Sequence, residues 1–524
     1  MDQNVVRLPR VLSPSRSPRE KVRTVDELAR VLELARSMGQ VVVQAHGTFD
    51  LLHIGHVRHL QAARELGDVL VVTLTADRFV NKGPGRPVFG EVLRAEMLAN
   101  LEYVDWVAIN ESPDCVSALE TLRPDVYVKG QDYINPEGDV TGKISAERVA
   151  VEAHGGRIHF TNEETFSSTE LINRHFNVYE PHVRDHLTGL RNDRGLNYLL
   201  ELIEKIKDYR VLLVGDTIID EYQYVLPLAK PPKENIIATR YQDTELFAGG
   251  VLAAANHVAS FCKEVDVVTC LGGADNYEPL IRRSLLPNVR LHVYKRDGGP
   301  TTVKRRFVDP SYMRKLFEVA VLDDEPLSAS LQQRFDESVA SLATKVDVVI
   351  ATDFGHGLIG PSTISTLVSC SPFLAVNTQT NSANTGFNLI TKYPKADYIC
   401  IDASEARLAM SDRVSPIDDV ARRILDGHVE CPSLIVTHGK HGCLTYERGN
   451  PVHTIPAVAR KVVDTVGAGD AFLAVTSPLI AAGGAIERVG FIGNVVGALK
   501  VEIVGHRKTI EKSAVIKGLT ALLK

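Results

Sequence analysis

Three histidines fall within seven residues, His53, His56 and His59, in the stretch GTFDLLHIGHVRHL at residues 47–60. The stretch follows the apolar run VVVQAH, and glycines bracket the junction between that run and a helical pattern. Imidazoles at such a junction can donate hydrogen bonds to a phosphate, because a helix N-terminus attracts anions and glycine allows close backbone approach. Two other interpretations stay open: a zinc site that includes His46, and for His59 a buried core histidine.

A second reactive stretch, DTVGAGDAF at residues 464–472, opens the apolar helical pattern AFLAVTSPLIAAG. Its glycine-rich turn can present backbone N–H groups to an anion, and Asp470 adds a carboxylate beside them. Amides for a developing phosphoryl charge and a carboxylate for an attacking hydroxyl are what phosphoryl transfer requires. The stretch therefore indicates a kinase-type site.

The elements that must position these residues divide the chain into two α/β regions. A chain of 524 residues exceeds one ordinary core, so several domains are expected. Strands alternate with helices over residues 24–176 and again over 209–524, which predicts two parallel sheets covered on both faces. We expect a flexible tail at residues 1–23 and a helical connector at 177–208.

The composition of the chain limits the kinds of molecule that it can be expected to bind. The chain is 44% hydrophobic and 24% charged, with a formal net charge of −6, so we expect a globular protein that binds neither nucleic acid nor an anionic membrane. No apolar run approaches the roughly 18 residues of a membrane span. The seven cysteines are scattered without a C-x-x-C motif, which is typical of reduced thiols in a cytoplasmic protein.

The first region resembles the nucleotidyltransferase superfamily. HIGH matches the H-x-G-H signature, and FVNKGPGRP, EVLRAEMLANLEYVDWV, VYVKGQDY and FSSTELI resemble later segments of the members that act on heptose and glycerol phosphates. The resemblance implies attack by a sugar-phosphate oxygen on the α-phosphate of a nucleoside triphosphate, with release of pyrophosphate. It assigns catalysis to His53, His56 and Lys82, and phosphate or nucleotide binding to Gly47, Thr48, Phe49, Arg94, Lys129, Ser168 and Thr169. For the three cations among them, a solvated surface charge is the alternative.

The second region resembles the ribokinase-like sugar kinases of the phosphofructokinase B family, through DTVGAGD and through VGDTIIDEY, FAGGVLAAAN, PTTVKRRFV and VTHGKHG. The resemblance implies that Asp470 is the base, that Mg²⁺ bridges the ATP phosphates, and that Glu405 acts indirectly on the metal. It assigns the anion hole to Gly467, Ala468 and Gly469, nucleotide binding to Thr437, Gly439 and Gly442, and sugar binding to Asp216, Asp220, Gly249, Gly250 and Lys304.

Together the two regions resemble the bifunctional heptose-7-phosphate kinase/heptose-1-phosphate nucleotidyltransferases, with the domain order reversed. That family implies ATP for the kinase, ATP, CTP or GTP for the transferase, a separate phosphatase and a homodimer. Two departures affect the sugar side: Ala253 replaces the family's asparagine, and Asn377 replaces an aspartate. Alternatives are another phosphorylated sugar or polyol, or a kinase half that has become a non-catalytic sensor or oligomerisation module.

Overall fold

The computed structural model describes residues 17–80, 86–130, 144–161, 179–193, 195–228 and 235–523. The chain divides into two units, Met1–Val178 and Tyr179–Lys524. Each unit has its own sheet and its own apolar core, so each candidate site is held by a separate framework. Within these described ranges, no helix combines the length and apolar character that crossing a bilayer requires.

The first unit is an α/β fold with five parallel strands in the order β3-β2-β1-β4-β5. The order reverses at β1, and open sheets bind ligands at such a switch point, beyond the carboxyl ends of the strands. The strands are β1 Val42–Gly47, β2 Val69–Thr75, β3 Trp106–Asn110, β4 Val126–Gly130 and β5 Arg157–Thr161. The helices are Pro18–Lys21, Val25–Ser37, Ile54–Glu65, Glu91–Ala99, Val116–Leu122 and Ile144–Glu152, with a 3₁₀ turn at Asp77–Phe79.

Residues 17–23 are not the tail that the sequence suggests. They include the helix Pro18–Lys21 and a β-bridge between Val22 and Val107. Val22 also packs against the apolar core of the first unit, which gives this segment a fixed place. Residues 1–16 lie outside the described residues.

The second unit is built on a nine-stranded sheet in the order β10-β9-β6-β13-β14-β15-β16-β17-β18. Neighbours from β10 to β16 are parallel, and β17 and β18 add an antiparallel edge. Its strands are β6 Arg210–Gly215, β9 Glu264–Gly272, β10 Val289–Arg296, β13 Val348–Asp353, β14 Leu374–Thr378, β15 Tyr398–Asp402, β16 Ser433–Thr437, β17 Cys443–Glu447 and β18 His453–Ile455. The predicted parallel α/β architecture is confirmed in both units.

Helices cover both faces of the nine-stranded sheet. Along β6 the buried side chains alternate between two separate apolar cores, as expected for a strand covered on both sides. Two helices that the sequence assigns to a connector instead join one of these cores through Leu187, Leu199 and Ile203. The helices of the unit are Pro181–Asn192, Gly195–Lys205, Val251–Ala259, Glu278–Ser284, Ala329–Ala343, Pro361–Cys370, Ala403–Ala409, Ile417–Gly427, Ala468–Ala481, Ile486–Lys500 and Lys512–Leu523, with 3₁₀ turns at Ile390–Lys392 and Gly439–His441.

A four-stranded sheet in the order β12-β11-β7-β8 completes the second unit. Its strands are β7 Thr217–Pro227, β8 Thr239–Gly250, β11 Thr302–Asp309 and β12 Arg314–Val321. This sheet was not predicted from the sequence, because charged residues interrupt its strands and hide the alternation of apolar and polar residues. Register places Lys304 opposite Asp220, so the sheet carries residues expected to bind the sugar.

Candidate functional sites

In the first unit the candidate site begins where β1 ends at Gly47. Thr48 and Phe49 lead from this strand toward the helix Ile54–Glu65. Phe49 has a φ of +48°, a conformation that a bulky residue adopts only when its surroundings impose it. A Cβ at Gly47 would lie 3.1 Å from the Phe49 ring, so the glycine makes room for the turn.

His53 and His56 form a stacked pair at the start of this helix. His53 is the N-cap, and its Nδ1 accepts the Gly55 N–H at 3.1 Å. The two imidazole centres are 3.9 Å apart, and the edge of Phe49 contacts His56 with a centre separation of 5.3 Å. The structure therefore brings both predicted histidines together at a helix N-terminus, where the helix dipole favours an anion.

The other two histidines of the zinc hypothesis are bonded to threonines. His46 lies 3.0 Å from Thr73 Oγ1 through Nδ1, and His59 Nδ1 lies 2.8 Å from Thr161 Oγ1. Burial, together with the charge of Lys129, lowers the pKa of His59 to about 4. Among the described residues, no group of three or more His, Cys, Asp or Glu is arranged to hold a metal.

Arg94 lies inside the first unit rather than on its surface. It is fully buried, and its guanidinium donates to Thr48 O at 2.5 Å, Thr75 O at 2.9 Å and Phe89 O at 2.9 Å, and pairs with Asp77. Four of its five donors thus join the turn after β1 to two neighbouring segments. In this arrangement Arg94 holds the turn in place.

Lys129, at the end of β4, is paired inside the protein as well. Its ammonium lies 2.8 Å from Glu147 Oε2, and both side chains are buried. Asp50 is a further buried acid of this unit, accepting the Val88 N–H at 2.6 Å and pairing with Arg86. Neither acid was predicted from the sequence, because a single Glu or Asp outside a motif carries no sequence pattern that marks it as buried. Lys82, Ser168 and Thr169 lie outside the described residues.

In the second unit, Asp470 lies in the first turn of the helix Ala468–Ala481. Gly467 precedes the helix with a φ of +73°, and a Cβ there would lie 2.5 Å from the His506 ring. The first amides of a helix lack intrahelical acceptors, although that of Ala468 makes a 3.3 Å contact with Thr465 O. Ala468, Gly469 and Asp470 therefore form one turn in which backbone amides and a carboxylate occur together.

Asp470 is buried, and its Oδ1 accepts a hydrogen bond from Gln379 Nε2 at 2.6 Å. Burial raises the pKa of Asp470 above 3.8, against the opposing charge of His506. A raised pKa strengthens a carboxylate as a proton acceptor. Gln379 and His506 were not predicted from the sequence, because they lie 91 and 36 residues from Asp470 along the chain and only the fold brings them near it.

The pKa values of Asp216 and Asp220 are shifted in opposite directions. Burial raises the pKa of Asp216 to about 6. Burial opposes ionisation of Asp220 too, but hydrogen bonds from His506 and Arg306 hold its pKa far below the usual range. A Cβ at Gly249 would lie 2.1 Å from an Asp220 oxygen, and one at Gly250 would lie 2.4 Å from Asp216 O. The paired glycines thus let the Asp220 carboxylate and the Asp216 main-chain carbonyl approach β8.

Ala253 and Asn377, the two residues that depart from the family pattern on the sugar side, lie in different surroundings. Ala253 is buried in the helix Val251–Ala259, and the nearby Asn256 bonds to Ser284 O rather than replacing the missing amide. The Asn377 amide donates to Cys400 O at 2.7 Å. Lys304 keeps its predicted strand position, with its ammonium 6.0 Å from the Phe354 ring centre and its pKa lowered by burial.

Glu405 lies near enough to Asp470 for the charge of Asp470 to act on its carboxyl group. Its two oxygens accept the amides of Asp402 at 2.7 Å and Thr380 at 3.1 Å, and burial raises its pKa to about 7. Thr380 directly follows Gln379, so one short segment contacts both acids. The predicted nucleotide-edge residues follow β16: Thr437 ends the strand, and Gly439 and Gly442 have φ values of +52° and +88°.

Comparison with known families matches both regions. The pfkB family of carbohydrate kinases matches residues 209–513. The cytidylyltransferase-like family matches residues 45–174. The predicted order, with nucleotidyl transfer first and the kinase second, is thereby confirmed.

Individual relatives match parts of the chain. The bifunctional protein HldE of Syntrophotalea carbinolica is 42% identical over 163 residues, which are 30% of this chain and 32% of that protein. HldE of Geobacter metallireducens is 41% identical over 162 residues, with the same coverage of 30% and 32%. The chain thus spans about a third of the length of these curated relatives. Phosphofructokinase-2 from Escherichia coli shares the fold, with a TM-score of 0.50 and 15% identity over 60% of this chain and 100% of that one.

Proposed function

Because this chain belongs to the pfkB family of carbohydrate kinases and carries a cytidylyltransferase-like region ahead of the kinase, we propose that it is a bifunctional enzyme of nucleotide-sugar synthesis. The kinase half phosphorylates a sugar phosphate, heptose 7-phosphate in our proposal, with ATP. The transferase half joins a nucleotidyl group to the sugar 1-phosphate and releases pyrophosphate. The observation that carries this proposal is that each unit places predicted phosphate-binding residues at a helix N-terminus, His53 and His56 in the first unit and Asp470 in the second.

In the kinase half, the sugar hydroxyl oxygen attacks the γ-phosphorus of ATP while Asp470 accepts the hydroxyl proton. The bond from that phosphorus to the β,γ-bridging oxygen breaks, and ADP leaves. The buried position of Asp470 and its hydrogen bond from Gln379 support this role. The amides of Gly467, Ala468 and Gly469 are proposed to stabilise the transferring charge.

Mg²⁺ neutralises charge on the ATP phosphates when it is bound with the nucleotide. Each Glu405 oxygen accepts one backbone N–H and retains a lone pair. This donor set fits a water-mediated contact with the ion. Thr437, Gly439 and Gly442 are proposed to border the nucleotide, and Asp216, Asp220 and Lys304 to bind the sugar.

In the transferase half, an oxygen of the sugar 1-phosphate attacks the α-phosphorus of a nucleoside triphosphate. The bond to the α,β-bridging oxygen breaks, and pyrophosphate leaves. No proton has to be removed, because the attacking phosphate oxygen is already ionised at neutral pH. His53 and His56 are proposed to donate to the phosphates, with Lys82, Ser168 and Thr169 completing the site.

The product of the kinase is a bisphosphate, so a separate phosphatase must act before nucleotidyl transfer. We further propose a cytoplasmic homodimer with a transferase that uses ATP, CTP or GTP. Ala253 and Asn377 favour a second candidate, in which the kinase half acts on another phosphorylated sugar or polyol. The same two changes are compatible with a non-catalytic sensor.

A substrate screen of the full chain tests these proposals. ADP and pyrophosphate release are measured with heptose, hexose, pentose and polyol phosphates and with each nucleoside triphosphate. ADP formation with heptose 7-phosphate and pyrophosphate release with heptose 1-phosphate are expected. ATP binding without phosphorylation of any of these compounds would instead favour the sensor.

A further inference from the structure

Lys500 is a buried cation that the two reactions above leave without a role. It is the last residue of the helix Ile486–Lys500 and has no solvent exposure. Its ammonium donates to two backbone carbonyls, Val466 O at 2.6 Å and Gly505 O at 2.8 Å. A buried ammonium is costly unless its donors are satisfied. A methionine would fill the same space without a charge, but it would leave both carbonyls without this donor. The charge therefore calls for a functional explanation.

The two carbonyls belong to the loops that shape the kinase site. Val466 immediately precedes Gly467, the positive-φ residue from which the phosphate-binding turn starts. Gly505 precedes His506, which lies 3.3 Å from Asp220. A single ammonium thus joins the loop before the helix of Asp470 to the loop that contacts the sugar-side carboxylate.

Electrostatics agree with this position. Burial lowers the pKa of Lys500, while the charges of Asp464, Asp470 and Asp220 favour its protonated form. The charge of Lys315 opposes those acids. On another helix, burial together with the charges of His506 and Lys500 lowers the pKa of the titratable neighbour His257. Lys500 thus adds positive charge behind a turn at which phosphate charge develops.

We propose that Lys500 is a positioning residue for phosphoryl transfer: its buried ammonium holds the Val466 and Gly505 carbonyls and so keeps the turn of residues 467–469 in its phosphate-binding form. This inference rests on the proposed kinase function. Loss of the Lys500 ammonium should therefore lower kcat, because the turn contacts the charge that develops in the transition state. It should have little effect on KM for the sugar.

The test compares three substitutions in the full chain. K500M removes the charge and keeps the volume, K500A opens a cavity, and K512A is the matched control at a lysine that pairs with Glu204 on the surface. We expect K500M to lower kcat for ADP formation by about 10- to 100-fold and K512A to leave it unchanged. Methylammonium should restore K500A in a saturable way, whereas tetramethylammonium, which has no N–H donor, should not.

A K500M variant with wild-type kcat, or a folded K500A variant that methylammonium does not restore, overturns the proposal. If K500A is unfolded without added amine, a thermal unfolding transition that appears with methylammonium but not with tetramethylammonium supports the ammonium position, and no transition with either amine overturns it. A wild-type chain that phosphorylates no sugar phosphate contradicts the proposed function instead. In that case the amine-dependent melting temperature of K500A still tests the position of Lys500.

Discussion

The two candidate sites hold their ionisable groups in different ways. In the kinase unit, burial raises the pKa of three carboxyls, Asp470, Asp216 and Glu405. In the first unit the turn presents the stacked imidazoles of His53 and His56. The buried acids Glu147 and Asp50 of that unit are each paired with a cation. This difference fits the proposed nucleophiles: a sugar hydroxyl must lose a proton, and a sugar phosphate need not. On the proposed function, a buried carboxyl base is needed at one site and not at the other.

Replacing Asp470 by Asn should give the largest effect. The amide keeps the size of the side chain and can still accept from Gln379, but it cannot take the proton. We expect ADP formation to fall by about 10²- to 10⁴-fold, with ATP affinity and pyrophosphate release unchanged. Both rates are measured on one preparation. Wild-type ADP formation by this variant would show that another group is the base.

His53→Ala and His56→Ala should give the next largest effect, confined to the other half. Loss of a preorganised phosphate donor should lower pyrophosphate release by about 10²-fold, while ADP formation continues. His154→Ala, at an exposed position of the first unit, is the control. Unchanged pyrophosphate release in both variants would refute the assignment, and loss of stoichiometric zinc along with the histidines would favour the metal interpretation.

Asp464→Asn should affect stability more than chemistry. Asp464 accepts from Lys315 and Tyr222, each at 2.6 Å, and although burial opposes ionisation these bonds lower its pKa to about 2. Its contribution is therefore present above the unfolded pKa of 3.8 and is lost as the pH falls through about 2.

At pH 7 the variant should reduce the free energy of unfolding of the second unit by about 1.5–3 kcal/mol, as measured by urea denaturation. At pH 2 the difference from wild type should be small. The surface substitution Asp418→Asn, at a 3.7 Å ion pair with Arg422, is the control and should have little effect at either pH. A D464N variant as stable as wild type at pH 7 would contradict the structural role.

Separating the two halves should have the smallest effect. Because each unit has its own sheet and core, fragments 1–178 and 179–524 should each keep the rate of their own reaction to within about twofold. That is a change of at most about 0.4 kcal/mol in the activation free energy. A fragment that starts at residue 206 removes Leu187, Leu199 and Ile203 from the core of the second unit, so it should unfold. If neither 1–178 nor 179–524 folds alone, the proposed domain boundary is wrong.

The sequence predicted the parts of the fold that have local signals. Apolar runs such as RVLLVG at β6 revealed the parallel strands, and the glycines of residues 464–472 revealed the kinase turn. The four-stranded sheet escaped prediction because its strands carry many charges. The partners Gln379, Glu147 and Lys500 escaped it too, since distant parts of the chain bring them to their sites and a lone polar residue has no periodicity.

The pH dependence of kcat for ADP formation, measured for wild type and D470N at saturating substrates, tests the claim of a carboxyl base most directly. Asp470 is inactive as a base when protonated, and its pKa is raised above 3.8, so the wild-type rate should rise with pH through an acid limb whose midpoint lies above that value. Both variants share the ionisations of the substrates, so a limb present in wild type and absent from D470N belongs to Asp470. The same acid limb in D470N, at the same midpoint, would contradict the account.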